Sequence, residues 1–308
     1  MNNVTAISVD NDFTFITSIF LTMVGLPGNS ITILILSSSK MREISMFRYL
    51  IISMVNDSLV LVTMWFSTLP NMFLADSMCC KLSLYLSNLF YNYSAWIVVL
   101  NLIDRLIIVK CPTKFRFRDQ LKFQALLLLT TFMVIILATI PFYIYSDINT
   151  RINITSCGTN SPETEFYVEF SGALVGVIVP FVLMIILTTL IGNQLIKKSR
   201  NLESRKKFKK EIRLIKLMIS MSLFFLIFNL PYYIQQLIHT GLSFNNRALF
   251  ISNYIFNLIF NITNQLCYIY NSFGFFVCLF CNKVFRNYLY SKFSFLQNKI
   301  HPILRSSF

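Results

Sequence analysis

Hydrophobic residues in this chain come in seven long blocks joined by short polar connections: roughly Phe13–Leu36, Phe47–Phe73, Cys80–Val109, Leu121–Tyr145, Phe166–Leu195, Ile212–Thr240 and Leu249–Phe280. Each is near or above the ~20 residues that cross a bilayer as a helix. The blocks are too long for β-barrel strands, so helices are left to satisfy their backbone groups in lipid. The expected fold is an all-α membrane protein, a seven-transmembrane helix bundle. Residues 1–12 read as a short extracellular tail, 13–282 as one membrane domain and 283–308 as a cytoplasmic tail. The run Lys283-Val284-Phe285-Arg286-Asn287-Tyr288-Leu289-Tyr290 alternates bases with aromatics, as suits a short amphipathic helix on the inner leaflet. In the longest outer connection, Ser146 to Glu165, Gly158 and Pro162 are expected to break any regular element.

Composition strengthens this reading. The 308 residues are 55% hydrophobic and 13% charged, against ~25% charged in a soluble domain. The net charge of +14 at first suggests a nucleic-acid partner, but its distribution does not. Of the 27 Lys and Arg, 24 fall in the connections after the first, third and fifth blocks, at the block ends that flank them, or in the tail. Lys81, Arg151 and Arg247 are the exceptions. This is the positive-inside pattern: amino terminus outside, tail in the cytoplasm, no nucleic acid. Met1 to Asp12 has no basic flank and no small-residue cleavage site, so the first helix is expected to be uncleaved. The glycosylation sequons beginning at Asn3 and Asn153 fall on the outer side.

Certain residues carry candidate chemistry. Of seven cysteines, Cys79 and Cys80 stand at the outer start of the third block, and Cys157 is in the long outer connection. The outer face is oxidising, so Cys157 is expected to bridge to Cys80, with Cys79 as the alternative. Asp57 is an acid within the second block, with Asn29 and Ser94 as candidate polar neighbours. It reads either as a cation site or as a hydrogen-bonded carboxyl. Pro141, Pro180 and Pro231 interrupt the fourth, fifth and sixth blocks and would bend them or provide pivots. Asp104-Arg105 places two charges beside membrane-length apolar sequence, which calls for partners and a function. His239 and His301 have no partners at metal or triad spacing, so neither catalysis nor a metal centre is expected.

Taken in order, these landmarks resemble the rhodopsin-like G-protein-coupled receptors over roughly Phe13 to Tyr290. They are Gly28-Asn29, Asp57, Cys80 twenty-five residues before Arg105, Asp104-Arg105, Cys157, Pro180, Phe225, Pro231-Tyr232 and Phe285-Arg286. The resemblance implies a receptor that carries an extracellular signal to a heterotrimeric G protein at the plasma membrane. It implies a resting lock in which Arg105 pairs with Asp104 and with Glu211, released on activation. Phe225, Asn229 and Pro231 would take part in the switch. The chain also departs from the family. Leu106 stands where Tyr is usual, Thr131 where Trp is usual in the fourth helix, and Asn229 replaces the bulky toggle residue. Gly274-Phe275-Phe276-Val277-Cys278 stands where the family has Asn-Pro-x-x-Tyr, which puts a sodium ion at Asp57 in doubt. Lys110-Cys111-Pro112-Thr113-Lys114-Phe115 is similar to invertebrate neuropeptide receptors of the FMRFamide type.

For the ligand, the family's amine-binding aspartate corresponds to Ser87, and no lysine lies between Lys216 and Lys283 to hold retinal. Seven outer acids (Asp10, Asp12, Asp76, Asp147, Glu163, Glu165, Glu169) against three bases leave a local charge of −4, which attracts cations. A short basic or amidated peptide is expected, met by Ser87, Tyr91, Glu169, Tyr233, Gln235 and Tyr268. The alternatives are a ligand-independent receptor of the same fold, or a transporter or channel.

Overall fold

The computed structural model describes residues 3–42, 44–68, 77–110, 121–151, 154–159, 161–200, 205–244 and 254–292. Seven long helices form a bundle. The first four are Asn3–Leu36, Ser45–Thr68, Ser77–Lys110 and Leu121–Tyr145. The fifth runs in three segments, Pro162–Ala173, Leu174–Ile178 and Val179–Arg200. The sixth is Arg205–Phe244 and the seventh Tyr254–Cys281. Within the first six lie spans apolar and long enough to cross a membrane. The third helix touches the second, fourth, fifth and sixth, and the first packs on the second and seventh.

The sequence pattern explains which faces turn outward. Phe20, Met23, Leu34, Leu137, Val182, Ile185 and Ile227 are exposed, as a lipid-facing surface requires, whereas such a surface in water would aggregate. The main core lies towards the ends of the helices that carry Asp104-Arg105. Leu36, Met46, Phe47, Met54, Leu102, Phe225 and Phe285 are all buried there.

The first helix begins at Asn3, within the segment read as the outer tail, and its membrane-length apolar part is Phe13–Leu36. Two expectations need correction. The long outer connection is not irregular. Ser146–Arg151 and Ile154–Thr159 form an antiparallel hairpin, β1 and β2, with Ile148 opposite Cys157 and Gly158 opposite Asp147. Gly158 is tolerated inside a strand because the hairpin is fastened from outside it. Cys157 is bonded to Cys80, with Cα atoms 5.6 Å apart, and Ser77 Oγ donates to Asp147 Oδ1 at 2.9 Å. Pro162 starts the fifth helix instead of preventing one. Proline suits the first turn, and Ser161 Oγ caps it by accepting from the Thr164 N–H at 3.3 Å.

Pro141 and Pro231 lie inside continuous helices, as does Pro27 in the first. Before Pro180 the fifth helix widens into a π turn over Leu174–Ile178, where the Val179 N–H reaches back to Leu174 O. After the seventh helix, Asn282 Oδ1 accepts from the N–H groups of Val284 and Phe285 at 3.0 and 3.2 Å. That cap opens a helix over residues 283–292. Phe285 and Leu289, one turn apart, are buried, while Lys283 and Lys292 are exposed. This is the amphipathic spacing expected for the segment. Arg286 Nη1 donates to the carbonyl oxygens of Leu279 at 3.0 Å and Phe280 at 2.6 Å, covering the end of the seventh helix.

Candidate functional site

Three polar layers cross the bundle. The first is a cavity of about 200 Å³ at the end of the bundle that carries the disulfide, lined by residues of the second to the seventh helices. Ser87, Tyr91, Glu169, Tyr233 and Tyr268 line it, all expected from sequence. Gln235 does not; its neighbour Gln236 does. Successive helical residues are ~100° apart, so the rotation of the sixth helix selects one of the pair. The cavity also includes Asn88, Tyr232 and Asn264. Tyr91 and Tyr233 have ring centroids 5.8 Å apart, and Tyr232 and Tyr233 5.3 Å. Glu169 is the one carboxylate among the described lining residues.

From the floor of the cavity, the Tyr91 hydroxyl donates to Asn229 Oδ1. Asn229 is fully buried, and its Nδ2 donates to the Phe225 carbonyl at 2.7 Å. Phe225 packs edge-on to Tyr270 at 5.0 Å and near Phe181 at 6.4 Å. Thus Tyr91, Asn229 and Phe225 form one chain of contacts from the cavity into the core.

The second layer surrounds Asp57, also fully buried. Its Oδ1 accepts from Ser94 Oγ at 3.1 Å and its Oδ2 from Ser53 Oγ at 3.3 Å. Ser94 was expected as a neighbour; Ser53, one turn from Asp57, was not. The amide of Asn29 donates to the Asn271 carbonyl at 3.1 Å, tying the first helix to the seventh. Beside Gly274 the space is taken by Met54: a Cβ there would meet the Met54 methyl at 2.8 Å.

The third layer lies at the opposite end of the bundle. Asp104 and Arg105 are both buried, with Arg105 Nη2 3.7 Å from Asp104 Oδ2. Ser45, at the start of the second helix, joins them. Its hydroxyl accepts from Arg105 Nη2 at 2.7 Å and donates to Asp104 Oδ2 at 2.9 Å. Nothing in the sequence singled out Ser45. The Glu211 side chain, expected as the other partner of Arg105, lies outside the described residues. So do the side chain of Asn3 and residue Asn153, the two sequon positions.

The family description "7 transmembrane receptor (rhodopsin family)" matches residues 28–279, more than half of the chain. The chain belongs to this family. It is therefore a multi-pass membrane receptor of the G-protein-coupled class, and the family's partners are an extracellular ligand and a G protein. No curated protein matches the chain. The cavity and Arg105 lie at opposite ends of the bundle. The tryptophan absent from the fourth helix has no replacement at Thr131. Instead Trp96 of the third helix donates its Nε1–H to the Val175 carbonyl at 2.9 Å, holding the π turn of the fifth.

Proposed function

We propose that this receptor carries a short cationic or amidated peptide signal across the plasma membrane to a heterotrimeric G protein, with its amino terminus outside and its tail in the cytoplasm. The observation that carries this reading is the continuity from cavity to switch. Tyr91 lines the cavity and also bonds Asn229, which bonds Phe225. A ligand group that engages Tyr91 changes how the third and sixth helices are held together. The cavity of about 200 Å³ is smaller than the ~300–1,000 Å³ typical for drug-sized ligands. Only one end of a peptide enters it, and the remainder stays at the acidic outer face. Glu169 supplies the countercharge for a cationic end, with tyrosines around it. The resemblance to FMRFamide-type receptors supports the same ligand class.

A library of basic, amidated and neutral peptides tested with a promiscuous G-protein reporter checks the reading. Basic or amidated peptides are expected to activate; responses confined to amines or lipids would remove it. Glu169→Gln is expected to raise the half-maximal concentration of the active peptide about tenfold at unchanged surface expression. That matches the loss of one charge-assisted contact.

Tyr91→Phe keeps the ring and removes the bond to Asn229. A buried hydrogen bond is worth about 0.5–1.5 kcal/mol net. Ligand-free signalling is thus expected to rise about two- to tenfold, measured as basal reporter activity per receptor at the surface. Unchanged basal activity would detach this bond from the switch.

A further inference from the structure

On the flank of the second, third and fourth helices lies a groove of about 500 Å³, separate from the ligand cavity. Its walls are apolar, built by Ile52, Val55, Leu59, Phe90, Leu128 and Phe132. Arg42, Arg48 and Gln124 line it too, all at the helix ends that carry Asp104-Arg105. Arg48 Nε donates to Gln124 Oε1, and Arg48 Nη1 donates to the Arg42 carbonyl at 2.7 Å. Arginine has only donors, so it takes the oxygen of the Gln124 amide and turns Nε2 away. Gln124 is 3% exposed, and its Nε2 is buried with no hydrogen-bond partner. Arg42 is exposed at the rim.

A buried donor without an acceptor is costly, and here it lies beside two cations at the end of an apolar channel. The matching occupant has anionic oxygens at one end and hydrocarbon behind them. We propose that the groove binds one anionic phospholipid. Its phosphate accepts from Arg42 and from Gln124 Nε2, and an acyl chain runs along Ile52, Val55 and Phe132. Basic pockets between membrane helices on the cytoplasmic side bind lipid headgroups in this way. A sterol brings one neutral hydroxyl and no anion for the Arg42 charge at the rim. A choline headgroup brings a cation next to them. That the lipid comes from the inner leaflet rests on the orientation proposed above. Occupancy of the groove does not, so purified protein tests it separately from signalling.

Native mass spectrometry of the full-length receptor, delipidated in detergent, is the experiment, with phosphatidylserine, phosphatidylcholine or cholesterol added in turn. One phosphatidylserine per receptor is expected, held about fivefold or more above phosphatidylcholine. Arg42→Gln is expected to lower phosphatidylserine affinity about fivefold and phosphatidylcholine affinity by less, narrowing the preference between them. Ala125→Trp, from an exposed position on the groove wall, is expected to remove both lipids. Both substitutions are at exposed sites, and unchanged melting of the lipid-free variants checks that they fold. Equal retention of the two phospholipids, a phosphatidylserine affinity unchanged by both variants, or cholesterol as the sole adduct overturns the proposal.

Discussion

Arg105→Ala is expected to abolish G-protein activation at every ligand concentration while leaving ligand binding and surface expression near normal. The reason lies in what the guanidinium is doing. Arg105 is 6% exposed at the end of the third helix, where a charge is costly unless partnered. Its Nη2 is held by the Ser45 hydroxyl at 2.7 Å and faces Asp104 at 3.7 Å. Ser45 donates onward to Asp104, so a single hydroxyl links both charges. Hydrogen bonds to charged groups contribute about 1.5–3 kcal/mol. Removing Arg105 removes the group that the docking partner would engage. Removing only the Ser45 hydroxyl should do the opposite, because the arginine remains but is held less firmly. Ser45→Ala is therefore expected to raise basal signalling roughly tenfold, and Glu211→Ala to raise it as well if that acid completes the lock. Basal and stimulated reporter activity, each divided by surface receptor, read all three variants. Full signalling by Arg105→Ala, or basal activity unchanged in both other variants, would refute the lock.

The sequence made some of this arrangement legible and left the rest open, for physical reasons. Membrane-length apolar runs announce helices because lipid permits little else, so six of the expected spans reappear as apolar helices and the seventh as Tyr254–Cys281. Cys80 over Cys79 follows from helical phase. Cys80 is fully buried and bonded, whereas Cys79, ~100° around the helix, is exposed. The same phase problem defeated Gln235, since the rotation of the sixth helix depends on packing that no local pattern records. The hairpin was missed because its strands lack apolar alternation and contain Gly158. The disulfide and the Ser77–Asp147 bond, both long-range, hold it. Ser45 and Ser53 were invisible for a similar reason. A lone serine near a helix start has many uses, and only its distance to a charge selects one.

Gly176→Leu is expected to leave almost no folded receptor at the cell surface. Gly176 lies in the π turn of the fifth helix, against Asn92 of the third. Any Cβ at Gly176 would collide with the Asn92 amide oxygen and carbon. The turn has little freedom to retreat, because Trp96 Nε1 holds the carbonyl of the preceding residue, Val175, and Pro180 follows closely. Overpacking of a rigid core costs about 1–3 kcal/mol for modest additions, and four carbons in this gap exceed that. Asn92 offers a way to prove the cause. Its Nδ2 is buried with no hydrogen-bond partner, so Asn92→Ala alone should cost little. In the pair Asn92→Ala with Gly176→Ala, the cavity left by the amide accepts the new methyl. Surface expression and melting temperature in detergent should then fall for Gly176→Ala alone and recover in the double variant, a coupling that non-contacting sites do not show. If the two substitutions are merely additive, the close approach of the third and fifth helices at Asn92 and Gly176 is not what fixes the π turn.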